Sequence, residues 1–177
     1  MGTFTYFAYG SNMLLERLQK RCKTACFLGV AVAHGYTLDF SKKSKDDGSG
    51  KATIAKTGND TALYGALFEI DLNECPSLDR SEGSDYDRKD EFVVRRVDND
   101  KELTVTTYIA KHDAMEKNLM PYDWYKQLIV AGAWQGKLPD FYLARLKEIE
   151  SIPDPCPERT KRKEALAVLK ESGWIDA

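Results

Sequence analysis

The order of strand-like and helix-like segments is the feature that most restricts the fold of this chain. Five or six short strands are predicted in the first 110 residues, and the last third of the chain is predicted to be mostly helical. A doubly wound sheet needs strands and helices to alternate throughout, and this pattern does not do so. The sequence therefore predicts an α+β fold. We expect residues 1–177 to form a single domain, with a small mixed, curved sheet or β-barrel flanked by helices and a helical C-terminal third.

Several of these segments have sharp boundaries. Period-two alternation or glycine-bounded apolar runs indicate strands at 27–33, 36–40, 51–56, 62–70, 91–98 and 102–110. Helical patterns are predicted at 122–134, 140–149 and 158–172, the last ended by Gly173. Polar residues 41–50 are predicted to form a mobile loop that is able to close over a ligand, and residues 57–60 a turn.

An aromatic stretch near the start of the chain runs directly into a turn and a helix. Residues 4–9 alternate as a strand does, and Gly10, Ser11 and Asn12 follow at once. Glycine lets a ligand approach the backbone closely, and Ser11 or Asn12 is expected to cap the helix. Free N–H groups at a helix start favour an anion or a developing oxyanion, so the turn is a candidate cradle. The spacing alone also fits an ordinary capped strand-turn-helix.

Charge and hydropathy exclude several classes of partner. The 26 basic and 28 acidic side chains give a formal net charge of −2, which provides no field for nucleic acid or an anionic membrane. No apolar run approaches the ~20 residues of a membrane span, and the first residues do not resemble a secretion signal. We therefore expect a small-molecule partner and a cytoplasmic protein.

The cysteines and histidines give little support to a metal site. The four cysteines are scattered, and His34 and His112 lie far apart with no helical HxxxH spacing. Free, mostly structural thiols are the expectation, together with no metal and no histidine-based triad. Any catalysis is then expected to use other groups.

Glu82 is the carboxylate that the sequence singles out. It lies at the predicted C-terminal end of a short helix that is closed by Gly83, with Asp79 three residues earlier. The helix dipole, the neighbouring carboxylate and any burial all oppose ionisation, which suits general-base work. The alternative is a solvated glutamate at a helix end.

Several segments together resemble one known family. Residues 7–13 (FAYGSNM) are similar to the AYGSN-type loop of the γ-glutamylcyclotransferase family, and residues 78–83 (LDRSEG) to its LDxxEG segment. The further segments that resemble this family, in the same order, are 36–41 (YTLDFS), 50–54 (GKATI), 122–126 (YDWYK), 131–133 (AGA), 136–139 (GKLP) and 146–149 (LKEI). The resemblance extends from about residue 5 to residue 152.

The resemblance implies a reaction and a set of site residues. A γ-glutamyl amino acid would cyclise through attack of its α-amine on its own side-chain amide, which releases 5-oxoproline and an amino acid without a cofactor. Glu82 would be the catalytic acid/base. The implied substrate-binding residues are Tyr6, Phe7, Ala8, Tyr9, Gly10, Ser11, Asn12 and Tyr125. Without the resemblance, Tyr125 reads equally well as a helix tyrosine packed in the core.

Two features depart from the animal-type members of the family. Residues 84–90 form a longer and more charged link, in which Tyr86 and Arg88 resemble the YxR pattern of other branches. The leaving group is therefore open, and an amine or a lysine side chain is the alternative to an amino acid. The chain after Pro153 carries no family residue, and we expect a packing helix or a homodimer contact there. A non-catalytic binding module on the same fold is the remaining alternative.

Overall fold

The computed structural model describes residues 2–58 and 60–174, and within them it has seven strands and five α-helices. Each of the seven strands overlaps a stretch with a predicted strand pattern, although only five or six strands were expected in total. Asn59, in the predicted turn at 57–60, lies outside the described residues. The strands are β1 Thr3–Ala8, β2 Cys26–His34, β3 Tyr36–Lys43, β4 Gly50–Lys56, β5 Ala62–Asp71, β6 Tyr86–Arg96 and β7 Glu102–Ala110. The helices are α1 Leu15–Gln19, α2 Cys75–Glu82, α3 Asp123–Gln135, α4 Asp140–Glu148 and α5 Thr160–Glu171.

Five of the strands close into a barrel, as the prediction of a mixed, curved sheet or barrel allowed. Their order is β1-β5-β2-β6-β7, and β3 and β4 pair separately as a two-stranded sheet. All neighbours in the barrel are antiparallel except β7 and β1, which meet in parallel where Tyr6 lies opposite Thr106. Because the barrel is closed, its strands have no free edge. Pairing with a neighbour on each side also fixes the position of the end of β1.

Helix α3 holds the turn after β1 in place. The backbone of α3 comes so close to this turn that a Cβ on Gly132 would lie 2.5 Å from the Leu14 amide nitrogen. Only glycine permits that approach. Leu14 and Leu18, which follow the turn, are fully buried, and truncating either to alanine is expected to cost about 2–5 kcal/mol. The turn is therefore a rigid part of the core.

The start of the first helix differs from the prediction. A single 3-10 turn, Ser11–Met13, follows β1, and α1 begins only at Leu15. Neither Ser11 nor Asn12 caps a helix, because both side chains are used elsewhere: Ser11 Oγ accepts from Arg17 and Asn12 binds Glu82. The capping prediction was wrong because it considered only the local chain, whereas long-range partners compete for these polar groups.

Two predicted loops are ordered strand or hairpin. Residues 86–90 begin β6, where they pair with β7 from Tyr86 opposite Ala110 onward. Only Arg95 and Arg96 of β6 also pair with β2, so most of this strand tolerates charged residues. Residues 41–50 were expected to be mobile, but β3 runs to Lys43 and Asp47 accepts bonds from the Ser49 amide (3.0 Å) and Lys51 Nζ (3.0 Å). The polar side chains of this segment therefore form the hydrogen bonds of the hairpin turn between β3 and β4.

The helices at the end of the chain agree with the predicted pattern to within two residues at each boundary. Gly173 has φ 74°, as expected for a residue that ends a helix. In the described part of the chain, no helix is long and apolar enough to cross a bilayer.

Candidate active site

A cleft of about 830 Å³ opens beside the turn after β1. Its walls come from β1 and the turn after it, α1, β3, β4, the end of α2, β6, β7, α3 and α5. This volume suits a small molecule. The predicted residues that line the cleft are Tyr6, Tyr9, Gly10, Ser11, Asn12, Glu82 and Tyr125. Residues from distant parts of the sequence thus meet at one site.

Phe7 and Ala8 are the two predicted substrate-binding residues whose side chains are not in the cleft lining. Both are essentially fully buried, and the Phe7 ring stacks on Phe92 with centroids 6.1 Å apart. Phe7 lies on the face of β1 opposite to Tyr6, which lines the cleft, and the small Ala8 side chain is covered within the core. Their side chains therefore belong to the barrel core, and we correct their assignment to the binding surface.

Glu82 lies at the last position of α2, where Gly83 turns the chain with φ 79°. Its Oε1 accepts a hydrogen bond from Asn12 Nδ2 (2.6 Å) and lies 3.4 Å from Arg21 Nη1. The same Arg21 nitrogen donates to Asn12 Oδ1 (2.9 Å). The carboxylate is thus oriented by two side chains that also contact each other.

Burial sets the proton affinity of this carboxyl group. The Glu82 side chain is 14% exposed, and desolvation raises its pKa above the usual value of 4.5. Arg21, Arg17 and the Asn12 hydrogen bond oppose this rise without cancelling it. A buried carboxylate with a raised pKa is a better proton acceptor than an exposed one and can also return the proton.

The predicted influence of Asp79 on Glu82 needs a correction. The Asp79 carboxylate accepts a hydrogen bond from the Tyr108 hydroxyl (2.5 Å) and lies 3.7 Å from Arg88 Nη1. It is therefore engaged by other partners, and burial is the largest cause of the raised pKa of Glu82. The sequence indicated the right direction but could not rank the causes.

Tyr125 and Tyr86 hold one residue of β4 from two sides. The Tyr125 hydroxyl accepts from the Ala52 amide (3.1 Å), and the Tyr86 hydroxyl donates to the Ala52 carbonyl (2.7 Å). A Cβ on Gly10 would lie 3.0 Å from the Ala52 Cβ. Ala52 thus packs directly against the glycine turn. Sequence reasoning did not place Ala52 or Tyr86 in the site, although both belong to segments that resemble the family, GKATI and the YxR pattern.

Helix α5 also forms part of the cleft wall. Its Lys161, Glu164, Ala167 and Val168 line the cavity, and Lys161 forms an ion pair with Asp46 in the hairpin turn. Buried Ala165 and Leu169 pack the same helix onto the core. The tail was predicted only as a packing or dimer helix, because sequence patterns cannot show which surface a helix covers.

The cleft is rich in positive charge. Eight of the residues that line it are lysine or arginine and four are aspartate or glutamate, counted within residues 2–58 and 60–174. Most of these cations have acidic partners, for example Lys42 with Asp85 (3.2 Å). The balance favours an anionic ligand.

Comparison with known proteins identifies relatives over most of the chain. Residues 62–146 match the AIG2-like family. The mouse and human γ-glutamylcyclotransferases are each 33% identical to this chain over 156 residues, which cover 84% of this chain and 79% of theirs. A solved structure of a γ-glutamyl cyclotransferase superposes with a TM-score of 0.83 at 30% identity, covering 96% of this chain and 99% of that one.

Proposed function

We propose that this chain, which belongs to the γ-glutamylcyclotransferase family, is an enzyme that converts a γ-glutamyl amino acid to 5-oxoproline and a free amino acid. The observation that carries the proposal is the position of Glu82. A largely buried carboxylate with a raised pKa faces a cationic cleft of small-molecule size. Such a group suits a reaction in which one amine loses a proton and another gains one.

The chemistry is an intramolecular displacement. Glu82 takes a proton from the substrate α-ammonium group, and the free α-amine attacks the γ-carbonyl carbon. The new ring C–N bond forms, and the original amide C–N bond breaks as Glu82 returns its proton to the departing nitrogen. The ring nitrogen gives up its second proton, which also passes to the departing amine, so the products are the neutral lactam and an ammonium group. Atoms and protons balance without a cofactor. Asn12 and Arg21 both contact Oε1 of Glu82, which leaves Oε2 for the substrate.

The turn after β1 supplies the binding surface for the γ-glutamyl group. In the proposal, backbone N–H groups of Gly10, Ser11 and Asn12 hold the substrate α-carboxylate or its carbonyl oxygen. Tyr125 closes the opposite side through Ala52. Bending the substrate between these walls brings its α-amine near its own carbonyl, which removes much of the entropic barrier to ring closure.

The identity of the leaving group has two candidates. An amino acid is the first, as the resemblance to the family implies. An amine, such as a lysine side chain, is the second, and Tyr86 favours it because this residue of the YxR pattern lines the cleft and bonds Ala52. A purely binding function has less support, because it does not need a buried proton carrier such as Glu82. The single domain, a cytoplasmic location and a homodimer stay predictions, and the proposed reaction also suggests a role in glutathione metabolism.

The test is a substrate panel. Purified protein is incubated separately with γ-Glu-Ala, γ-Glu-ε-Lys and glutathione, and 5-oxoproline is followed by mass spectrometry against a protein-free control. Product from at least one substrate, above spontaneous cyclisation, is the expected result, and the rates rank the leaving groups. No product from any of the three would favour the binding-module alternative.

A further inference from the structure

Arg17 is a cation of the cleft whose charge has no acidic partner. It lies on α1, is partly buried in the cleft wall, and donates from Nε to Ser11 Oγ (3.1 Å). Within residues 2–58 and 60–174, no carboxylate forms an ion pair with its guanidinium group. Its neighbours differ: Arg21 pairs with Glu82, and Lys51 with Asp47 (3.0 Å).

This arrangement is unfavourable for the free protein. Burial first, and then the nearby charge of Arg21, lower the pKa of Arg17 from 12.5 to about 10. Tyr125, Glu82 and Glu164 act in the opposite direction, but none forms an ion pair with it. A poorly solvated guanidinium without a counter-charge costs folding free energy. A bound carboxylate would supply the missing counter-charge in the planar, two-oxygen geometry that arginine prefers.

The spacing along α1 indicates which carboxylate fits. Arg17 and Arg21 are four residues apart, and the helical conformation continues past the end of α1 to include Arg21. The Lys20 amide donates to the Glu16 carbonyl, and the Cys22 amide donates to the Leu18 carbonyl. Side chains at this spacing are neighbours, roughly 5–6 Å apart at Cβ. Arg21 forms an ion pair with Glu82, so Arg17 is about one helical turn away from the residue that contacts the proposed base. The α-ammonium and α-carboxylate groups of a γ-glutamyl substrate sit on one carbon, and they need a base and a cation side by side.

We infer that Arg17 binds the α-carboxylate of the γ-glutamyl group, and that the backbone N–H groups of the Gly10 turn are thereby left for the carbonyl oxygen. This inference rests on the proposed function and resolves which substrate group the turn holds. Ser11 Oγ keeps the guanidinium against the turn, because it accepts from Nε and leaves the other edge of the guanidinium for a ligand. The negative charge that develops on the carbonyl oxygen then meets backbone donors.

The first test measures binding without turnover. Ligand-observed NMR compares 5-oxoproline, which carries the α-carboxylate, with 2-pyrrolidinone, the same ring without it. Wild type is expected to bind 5-oxoproline more tightly. Arg17→Met is expected to weaken 5-oxoproline roughly 10- to 100-fold while leaving 2-pyrrolidinone unchanged. Unchanged 2-pyrrolidinone binding also shows that the variant is folded.

Two further variants make this test specific. Arg17→Lys keeps the charge but loses the two-pronged geometry, so it is expected to lie between wild type and Arg17→Met. Lys23→Met removes an exposed positive charge just after the same helix and outside the cleft lining, so both ligands should bind it as they bind wild type. If Arg17→Met binds 5-oxoproline as tightly as wild type does, the inference is wrong.

The second test separates the two carboxylates of a dipeptide substrate. γ-Glu-Ala has an α-carboxylate and a leaving-group carboxylate, whereas γ-glutamylmethylamide has only the first. Arg17→Met should raise KM for both substrates by the same factor. A rise for γ-Glu-Ala alone would assign Arg17 to the leaving group and overturn the inference.

Failure of the inference and failure of the proposed function give different results. If wild type neither turns over a γ-glutamyl substrate nor binds 5-oxoproline, both are wrong. If wild type does both and Arg17→Met behaves like wild type, only the role of Arg17 is wrong.

Discussion

Asn12 Nδ2 donates a 2.6 Å hydrogen bond to Glu82 Oε1 across a sequence separation of 70 residues. The contact joins the turn after β1 to the end of α2, and so links the proposed binding surface to the proposed base. Asn12 Nδ2 also lies 3.2 Å from the Tyr6 hydroxyl. One amide group therefore fixes the relative positions of three residues in the cleft.

Replacing Asn12 tests this link. Asn12→Leu keeps the size of the side chain but removes the bond to Glu82, which stabilises the charged form. The pKa of Glu82 should rise, so the acid limb of the kcat/KM profile should move to higher pH, and kcat/KM should fall roughly tenfold at neutral pH. Asn73→Leu, an exposed change, is the control. A profile identical to wild type would show that Asn12 does not tune the base.

Gly10→Val tests the close packing of the turn. A Cβ at Gly10 would lie 3.0 Å from the Ala52 Cβ, and a branched side chain adds further atoms at this point. We expect loss of both 5-oxoproline binding and turnover, because the turn and β4 must move apart. Gly58→Val, where an added Cβ meets nothing within 4 Å, is the matched control. Wild-type kinetics in Gly10→Val would remove the turn from the site.

The pH dependence of stability tests the burial of Glu82. Its folded-state pKa lies above the usual 4.5, so the folded state binds more protons than the unfolded state between these values. The ionised buried group then destabilises the protein increasingly as pH rises from about 4.5 to the folded-state pKa. Glu82→Gln lacks this penalty.

Urea denaturation of wild type and Glu82→Gln at pH 4.5 and pH 8 measures the effect. The free energy of unfolding of Glu82→Gln minus that of wild type should be more positive at pH 8 than at pH 4.5. A difference that is constant with pH, or that changes in the opposite direction, would mean that the pKa of Glu82 is not raised by folding.

Asp154 is expected to anchor α5 to the cleft wall. Its fully buried carboxylate accepts from Trp124 Nε1 (3.0 Å) and Arg159 Nε (2.8 Å). Asp154→Ala leaves these donors without their partner, so we expect a loss of about 2–4 kcal/mol in urea denaturation. Asp98→Ala breaks an exposed pair with Arg96 and should change the stability much less than Asp154→Ala does. Equal effects of the two changes would contradict the anchoring role.

Sequence patterns predicted most of the secondary structure because those signals are local. Gly83 and Gly173 end helices with positive φ, and Leu14 and Leu18 share a buried face, as expected from spacing alone. The first 110 residues do contain the strands, and the barrel forms from them. The helix ends, the buried leucine face and the strand positions depend on residues within one or two turns of chain, whereas closure of the barrel depends on pairing between distant strands.

The errors concern features that depend on distant partners. Residues 86–90 look like a charged link because that part of β6 pairs only with β7, so no two-sided burial imposes a period on its sequence. The proposed role of Glu82 came from resemblance, whereas its contacts with Asn12 and Arg21 needed the fold. Arg17 gave no sequence signal, because the lack of an ionic partner is visible only in three dimensions.

The most direct test of the account compares Glu82→Gln with wild type in 5-oxoproline formation from the best substrate of the panel. Glutamine keeps the shape of the side chain and cannot carry the proton. Turnover should fall at least about 100-fold, while affinity for 5-oxoproline stays within about tenfold of wild type. Glu148→Gln, an exposed change on α4, should be as active as wild type. Normal turnover by Glu82→Gln would contradict the assignment of Glu82 as the catalytic acid/base.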